Sequence, residues 1–243
     1  MREEIYRKLS ELGFPNGGDG TTEELLGIWR SWYEGNVSHF HSYRVYNGQK
    51  RVLCRRAGLG MAKKICEDWA NLLMNERVQI RLEGEREQRF LDGVLQENRF
   101  FLMANRLQEQ KAALGTAAYV PRVTDGRIRI DFPSAEGILP LSWENGRVTD
   151  CAFAGGQRQG ERELLYLQVH HRTEGRYRIE NLLFERDGDR LEQLSLAEAP
   201  GFAGIPETVD TGRSERSCVL DRMNIVNNLD PASPMGQIGR AHV

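Results

Sequence analysis

The hydrophobic period of this chain changes at Gly115, and that change limits the fold more than any other feature. Before it, apolar residues recur three and four positions apart, the repeat of a helix with one covered face. After it they alternate, the repeat of a strand in a sheet. A doubly wound parallel fold would interleave the two patterns. Helices first and strands second predict an α+β class: an N-terminal helical segment followed by a mainly antiparallel sheet.

Residues 1–13 predict a short helix with Ile5, Leu9 and Leu12 on one face, ending at Gly13. The spacing Thr21-x-x-Glu24 is a capping box that opens a second helix, with Leu25, Ile28, Trp29 and Trp32 at helical spacing and Gly35 at its end. Residues 36–58 are read as irregular; they carry His39, His41 and a basic patch of Lys50, Arg51, Arg55 and Arg56. The clearest helix follows Gly60. There Ala62, Ile65, Cys66, Trp69, Leu72 and Leu73 form the side expected to be buried, opposite Lys63, Lys64, Glu67, Asp68 and Asn71. Val78 to Leu82 alternates as a strand would, and helices are expected over 86–97 and 99–113.

Beyond Gly115, strands are expected over 117–123, 127–132, 147–153, 164–171 and 176–185. Asp125-Gly126, Asn145-Gly146 and Glu174-Gly175 supply the turns, because these residues tolerate positive φ. Residues 186–216 are richer in Gly, Pro and charge and are read as a long connection. The organisation expected is a helical part over 1–115 and a β-rich part over 116–237.

Lys plus Arg number 33 and Asp plus Glu 35, a formal charge of −2. A protein that grips nucleic acid along a whole face needs a basic excess, so any DNA contact must be local or lie elsewhere. No run of about 18 apolar residues exists to cross a membrane. Acids at Glu3 and Glu4 stand where a secretory leader needs bases, so the chain is expected to stay in the cytosol in which it is made. Cys54, Cys66, Cys151 and Cys218 are scattered and form no CxxC pair, which predicts free thiols, not a zinc site.

Other candidate chemistry also reads as structural. No phosphate-cradling Gly-x-x-x-x-Gly-Lys-Ser/Thr loop occurs, and Gly13 to Gly20 lacks the lysine and the strand such a loop needs. His39 and His41 lack a third metal ligand at a defined spacing. His170 and His171 are neighbours in a strand, so they point to opposite faces, one expected buried and one exposed. Glu83, Glu85 and Glu87 sit at a helix start, where acids favour the helix dipole. Ser217-Cys218 lacks the surroundings of a nucleophile elbow. No catalytic, cofactor-binding or metal-binding residue is nominated, and no cofactor is expected.

Two stretches carry a resemblance. Leu59 to Glu76, with its Lys64, Glu67-Asp68-Trp69-Ala70, Leu72-Leu73 and Asn75-Glu76, closely resembles a helix of the portal proteins of long-tailed phages of Gram-positive hosts. Ala113-Leu114-Gly115-Thr116-Ala117, running on to Ile138-Leu139-Pro140-Leu141, is similar to a turn and strand of the same family. Tyr177-x-Ile179-x-Asn181 and Asn227-Asn228 with Ser233-Pro234-Met235-Gly236 are weaker echoes.

The resemblance covers about residues 20–237. It implies a non-enzymatic structural subunit of a ring, usually a dodecamer, at one vertex of the virion capsid. Such a ring nucleates assembly in the host cytoplasm with major capsid and scaffolding proteins. It docks the terminase motor, passes double-stranded DNA and later carries the head–tail connector. This stretch would form the outer wing, whose near-neutral charge suits contact with neighbours. The stem, the clip and the DNA-facing tunnel loop would follow Gly236. Ile238-Gly239-Arg240-Ala241-His242-Val243 departs from the family and matches a translated sequencing adapter, ATC GGA AGA GCA CAC GTC. Residues 238–243 are therefore expected to be non-native and the gene model truncated. Genuine coding sequence past Val243 in the source contig would refute this. The alternatives are another minor capsid or head structural protein, or an enzyme with an unrecognised site.

Overall fold

The computed structural model describes residues 2–18, 20–124, 126–144, 147–188, 190–215 and 219–222. Helices α1 (Arg2–Glu11), α2 (Gly20–Tyr33), α3 (Ser38–His41), α4 (Met61–Leu73), α5 (Glu85–Glu97) and α6 (Phe100–Leu114) precede the main sheets. Gly115, at φ +72°, ends α6 in the left-handed region that glycine enters without steric cost. The α+β reading holds.

Strands β1 (Ser42–Tyr46) and β2 (Arg51–Arg55) form an isolated antiparallel hairpin between α3 and α4. The main sheets follow, built from β3 (Thr116–Thr124), β4 (Arg127–Asp131), β5 (Ile138–Pro140), β6 (Trp143–Glu144), β7 (Arg147–Val148), β8 (Cys151–Gln159), β9 (Arg162–Thr173), β10 (Arg176–Asp187), β11 (Arg190–Leu194), β12 (Thr208–Asp210) and β13 (Val219–Arg222). The large sheet runs β11-β10-β9-β8-β5, and β12 pairs with the first half of β10. A three-stranded sheet runs β13-β3-β4, and β6 pairs with β7. Every pairing is antiparallel.

The large sheet is covered on both faces. Leu165, Leu167 and Val169 of β9 pack with Ile5, Tyr6 and Leu9 of α1. Leu164 joins Leu183, Leu196 and Phe202 on the other face. Beside them Cys151 and Phe153 of β8 meet Ala118 and Val120 of β3. Double burial explains why β9 reads as a nearly continuous apolar run. The β9–β10 hairpin turns at Glu174 and Gly175, with φ of 52° and 80°, as the sequence pair predicts.

Several expectations need correction. Residues 36–58 are not irregular but hold α3 and the β1–β2 hairpin. Asn47 Oδ1 accepts from the N–H groups of Gln49 and Lys50, and Gly48 turns at φ +95°. Val78 to Leu82 forms no strand with any described residue. Residues 186–216 are not one connection, because β11 and β12 pair with opposite ends of β10. In α2 the buried side chain is Leu26, while Ile28 is 53% exposed. Leu12, expected on the covered face of the first helix, is 40% exposed just past the end of α1. The expected 147–153 strand is broken at Thr149 and Asp150, where Asp150 turns its carboxylate to the Ser142 hydroxyl at 2.5 Å and the Arg172 N–H at 2.9 Å. Asp125, Asn145-Gly146 and all of 223–243 lie outside the described residues.

Candidate subunit interface

Helix α4 carries more apolar residues than the other described residues cover. Its inward stripe is small: Cys66 and Ala70 are buried and allow α6 to pack closely. Asn105 of α6 donates to Asn71 of α4 at 3.1 Å along the same seam. The larger residues face outward. Ile65 is 47% exposed, Trp69 56%, Leu72 69% and Leu73 52%. These four were expected on the buried side with Cys66; Cys66 is buried as expected, but Ala70 is buried in place of the four larger residues. Phe90 of α5 and Leu102 of α6 are also more than half exposed. Single exposed apolar residues are ordinary, but four of them recurring along one helix make its outward side a candidate contact surface.

The hairpin is a second unpartnered feature. Its register places Tyr43, Val45, Val52 and Cys54 on one face and Arg44, Tyr46, Leu53, Arg51 and Arg55 on the other. Both faces are open, with Tyr46 and Leu53 the most exposed of the large apolar residues. The expected basic patch therefore lies on a protruding ribbon: Lys50, Arg51 and Arg55 are exposed, and Arg56 stacks 5.2 Å from the rings of Phe40 and Tyr43. The sequence signal for this ribbon was Asn47-Gly48 between alternating apolar residues.

Charge is segregated between these surfaces. From Asn36 to Cys66 there are seven bases and no acid, and from Glu67 to Glu97 eight acids against four bases. The acidic stretch borders a groove of about 690 Å³ between the 78–84 segment, α5 and α6, floored by Val78, Leu95 and Phe101. Glu85 and Glu87 occupy the first turn of α5, as the helix-dipole reading required.

Several buried titratable groups are engaged in packing and structural hydrogen bonds. His41 is buried with Nδ1 2.9 Å from the Val37 carbonyl oxygen, whereas His39 is exposed. His170 and His171 do point to opposite faces. His170 is fully buried, but His171 is not exposed: it meets Glu180 at 2.8 Å and packs edge-on against Phe14. Cys54, Cys66 and Cys151 are free, and Cys218 lies outside the described residues. Burial pushes the Cys66 thiol up, the opposite of an activated nucleophile. Burial also raises the Tyr33 phenol, which donates to Glu109, and pushes Tyr166 up to about 12. Among the described residues no cluster of three or more His, Cys, Asp or Glu could hold a metal ion, and no helix is long and apolar enough to cross a membrane.

The family model described as "Phage portal protein, SPP1 Gp6-like" matches residues 27–166. That span exceeds half the chain and runs from within α2 to the first residues of β9, so it includes the hairpin, the groove and α4. Comparison with curated individual proteins gives no match. A match of this extent makes the chain a member of the SPP1 Gp6-like phage portal protein family, a structural family of the phage particle.

Proposed function

We propose that the chain is the wing portion of a portal subunit, which assembles as a ring of about a dozen copies at one capsid vertex. The family match carries this reading. The exposed apolar side of α4 supports it, because a ring subunit needs large contact surfaces on two sides. On this reading residues 1–115 and 116–237 are the helical and β-rich parts of the wing. The ring would meet capsid and scaffolding protein outside, terminase during packaging and the head–tail connector afterwards. Double-stranded DNA would cross a channel lined by other parts of the subunit, consistent with the near-neutral charge here.

The test is the mass of the assembly formed by the full-length gene product, measured by native mass spectrometry. A closed ring of about a dozen subunits is expected. A stable monomer at micromolar concentration would overturn the reading.

A further inference from the structure

The segment 78–82 has the sequence of a strand but pairs with none among the described residues. A side chain occupies one of its edges instead. The Leu82 N–H donates to Gln88 Oε1 at 2.7 Å, and Gln88 Nε2 donates to the Ile80 carbonyl at 3.1 Å. Main-chain groups two residues apart thus point the same way, as they do along a strand edge. The opposite edge belongs to Gln79 and Arg81. Their main-chain groups form no hydrogen bond with another described residue. This is an extended segment with one edge satisfied, beside a groove lined by the acids Glu83, Glu85 and Asp92 and by two bases, Arg81 and Arg89, so that the acids outnumber the bases by one.

The β1–β2 hairpin has the converse character. It is a two-stranded ribbon whose outer edges pair with no other strand among the described residues, and such a ribbon is marginal without further packing. It lies in the stretch of seven bases and no acid, and none of its residues lines the groove.

We propose that the hairpin of one copy adds the outer edge of its β2 to the free edge of 78–82 in the neighbouring copy. This rests on the portal reading and names the contact that joins its subunits. The added strand would cap the groove with Leu53, while Arg51 and Arg55 on the same face meet Glu83, Glu85 and Asp92. Because hairpin and groove are different surfaces of one chain, the contact is head-to-tail, the kind that closes into a ring.

Two cysteine variants of the full-length gene product test this, each made in a Cys54→Ser background: Leu53→Cys, on β2, and Gln79→Cys, on the groove edge. Both positions are exposed, so the fold should tolerate them. With a short thiol cross-linker, a mixture of the two should give dimers, neither alone should, and the double variant should give a ladder. Arg51→Glu with Arg55→Glu should cut the yield at least about tenfold, and adding Glu83→Arg with Glu85→Arg should restore it. No cross-link within a ring of correct mass would overturn the strand pairing and leave the portal reading standing. Cross-linking without a ring would support the pairing and overturn the ring. A monomer without cross-links would overturn both.

Discussion

The Arg2 guanidinium donates from Nη2 to the carbonyl oxygen of Ile138 at 3.0 Å, joining the first turn of the first helix to an edge strand 136 positions later. Nη1 reaches the carbonyls of Ala135 and Glu136 at 3.3 and 2.9 Å, and the Tyr6 hydroxyl donates to Pro140 at 3.1 Å. Ile138 and Pro140 are alternate residues of β5, so their carbonyls share the edge facing away from β8. Helix α1 thereby closes an edge that would otherwise be open to a foreign strand. Pro140, with no N–H to donate, suits that edge.

Arg2 is only 4% exposed, so its removal leaves buried carbonyls without donors. Arg2→Ala should destabilise the chain by about 2–4 kcal/mol. The urea midpoint should fall with no change in slope. Arg2→Lys should recover only part of the loss, because one ammonium cannot reproduce the planar fork. A midpoint within error of the parent would disprove the closure role.

Much of this architecture was legible in the sequence, and what was missed has physical causes. The β9–β10 hairpin could be read because Glu174-Gly175 must turn with positive φ and flanking strands alternate around it. The period change at Gly115 marked where helices give way to sheets. The β1–β2 hairpin was lost because the arginines between its apolar residues give the look of a solvated loop. The outward side of α4 was misread for a deeper reason. Helical period shows that a stripe is apolar, but not whether its cover comes from the same chain. Ala70 looks unremarkable beside Trp69, yet it is Ala70 that α6 packs against. The candidate interface was therefore visible as residues and invisible as a surface.

His170 gives a substitution that should do no harm. It is 0% exposed, neither ring nitrogen has a hydrogen-bond partner among the described residues, and it lies edge-on to Phe153 at 5.3 Å. A buried polar group without partners costs about 1–3 kcal/mol. His170→Met should therefore be neutral or stabilising by up to about 1 kcal/mol, while His170→Ala should lose about 2 kcal/mol or more to the cavity. Thermal melts of the two variants check this. Equal losses in both would mean that the imidazole makes an essential contact.

Tyr166 predicts how stability falls in alkali. Its hydroxyl donates to Asn181 Oδ1 at 2.6 Å, and burial pushes the phenol from 10.0 up to about 12. The folded state therefore holds the proton more tightly than the unfolded state. The associated stability is fully present below pH 10 and is lost as pH rises through about 12. The loss should be of order 2 kcal/mol. Tyr166→Phe should be less stable at neutral pH, through loss of the bond to Asn181, but should show a shallower decline above pH 10. Chemical denaturation at a series of pH values separates the two effects. Parallel declines in parent and variant would assign the alkaline loss to other groups.

On α4, adjacent positions should respond in opposite ways. Trp69 is 56% exposed and Ala70 1%. Trp69→Ser removes only part of one side chain's packing, so the stability of the isolated chain should fall by no more than about 1 kcal/mol. Assembly should suffer instead, because exposed aromatic anchors commonly supply over about 2 kcal/mol at a contact. Ala70→Leu should do the reverse at first hand, forcing bulk against α6 and costing about 1–3 kcal/mol of fold stability. Denaturation curves report the first quantity and sedimentation of the full-length product reports the second. If Trp69→Ser destabilised the fold and left the assembly intact, the outward side of α4 would be covered within its own chain. The subunit contact would then have to be sought on the hairpin and groove alone.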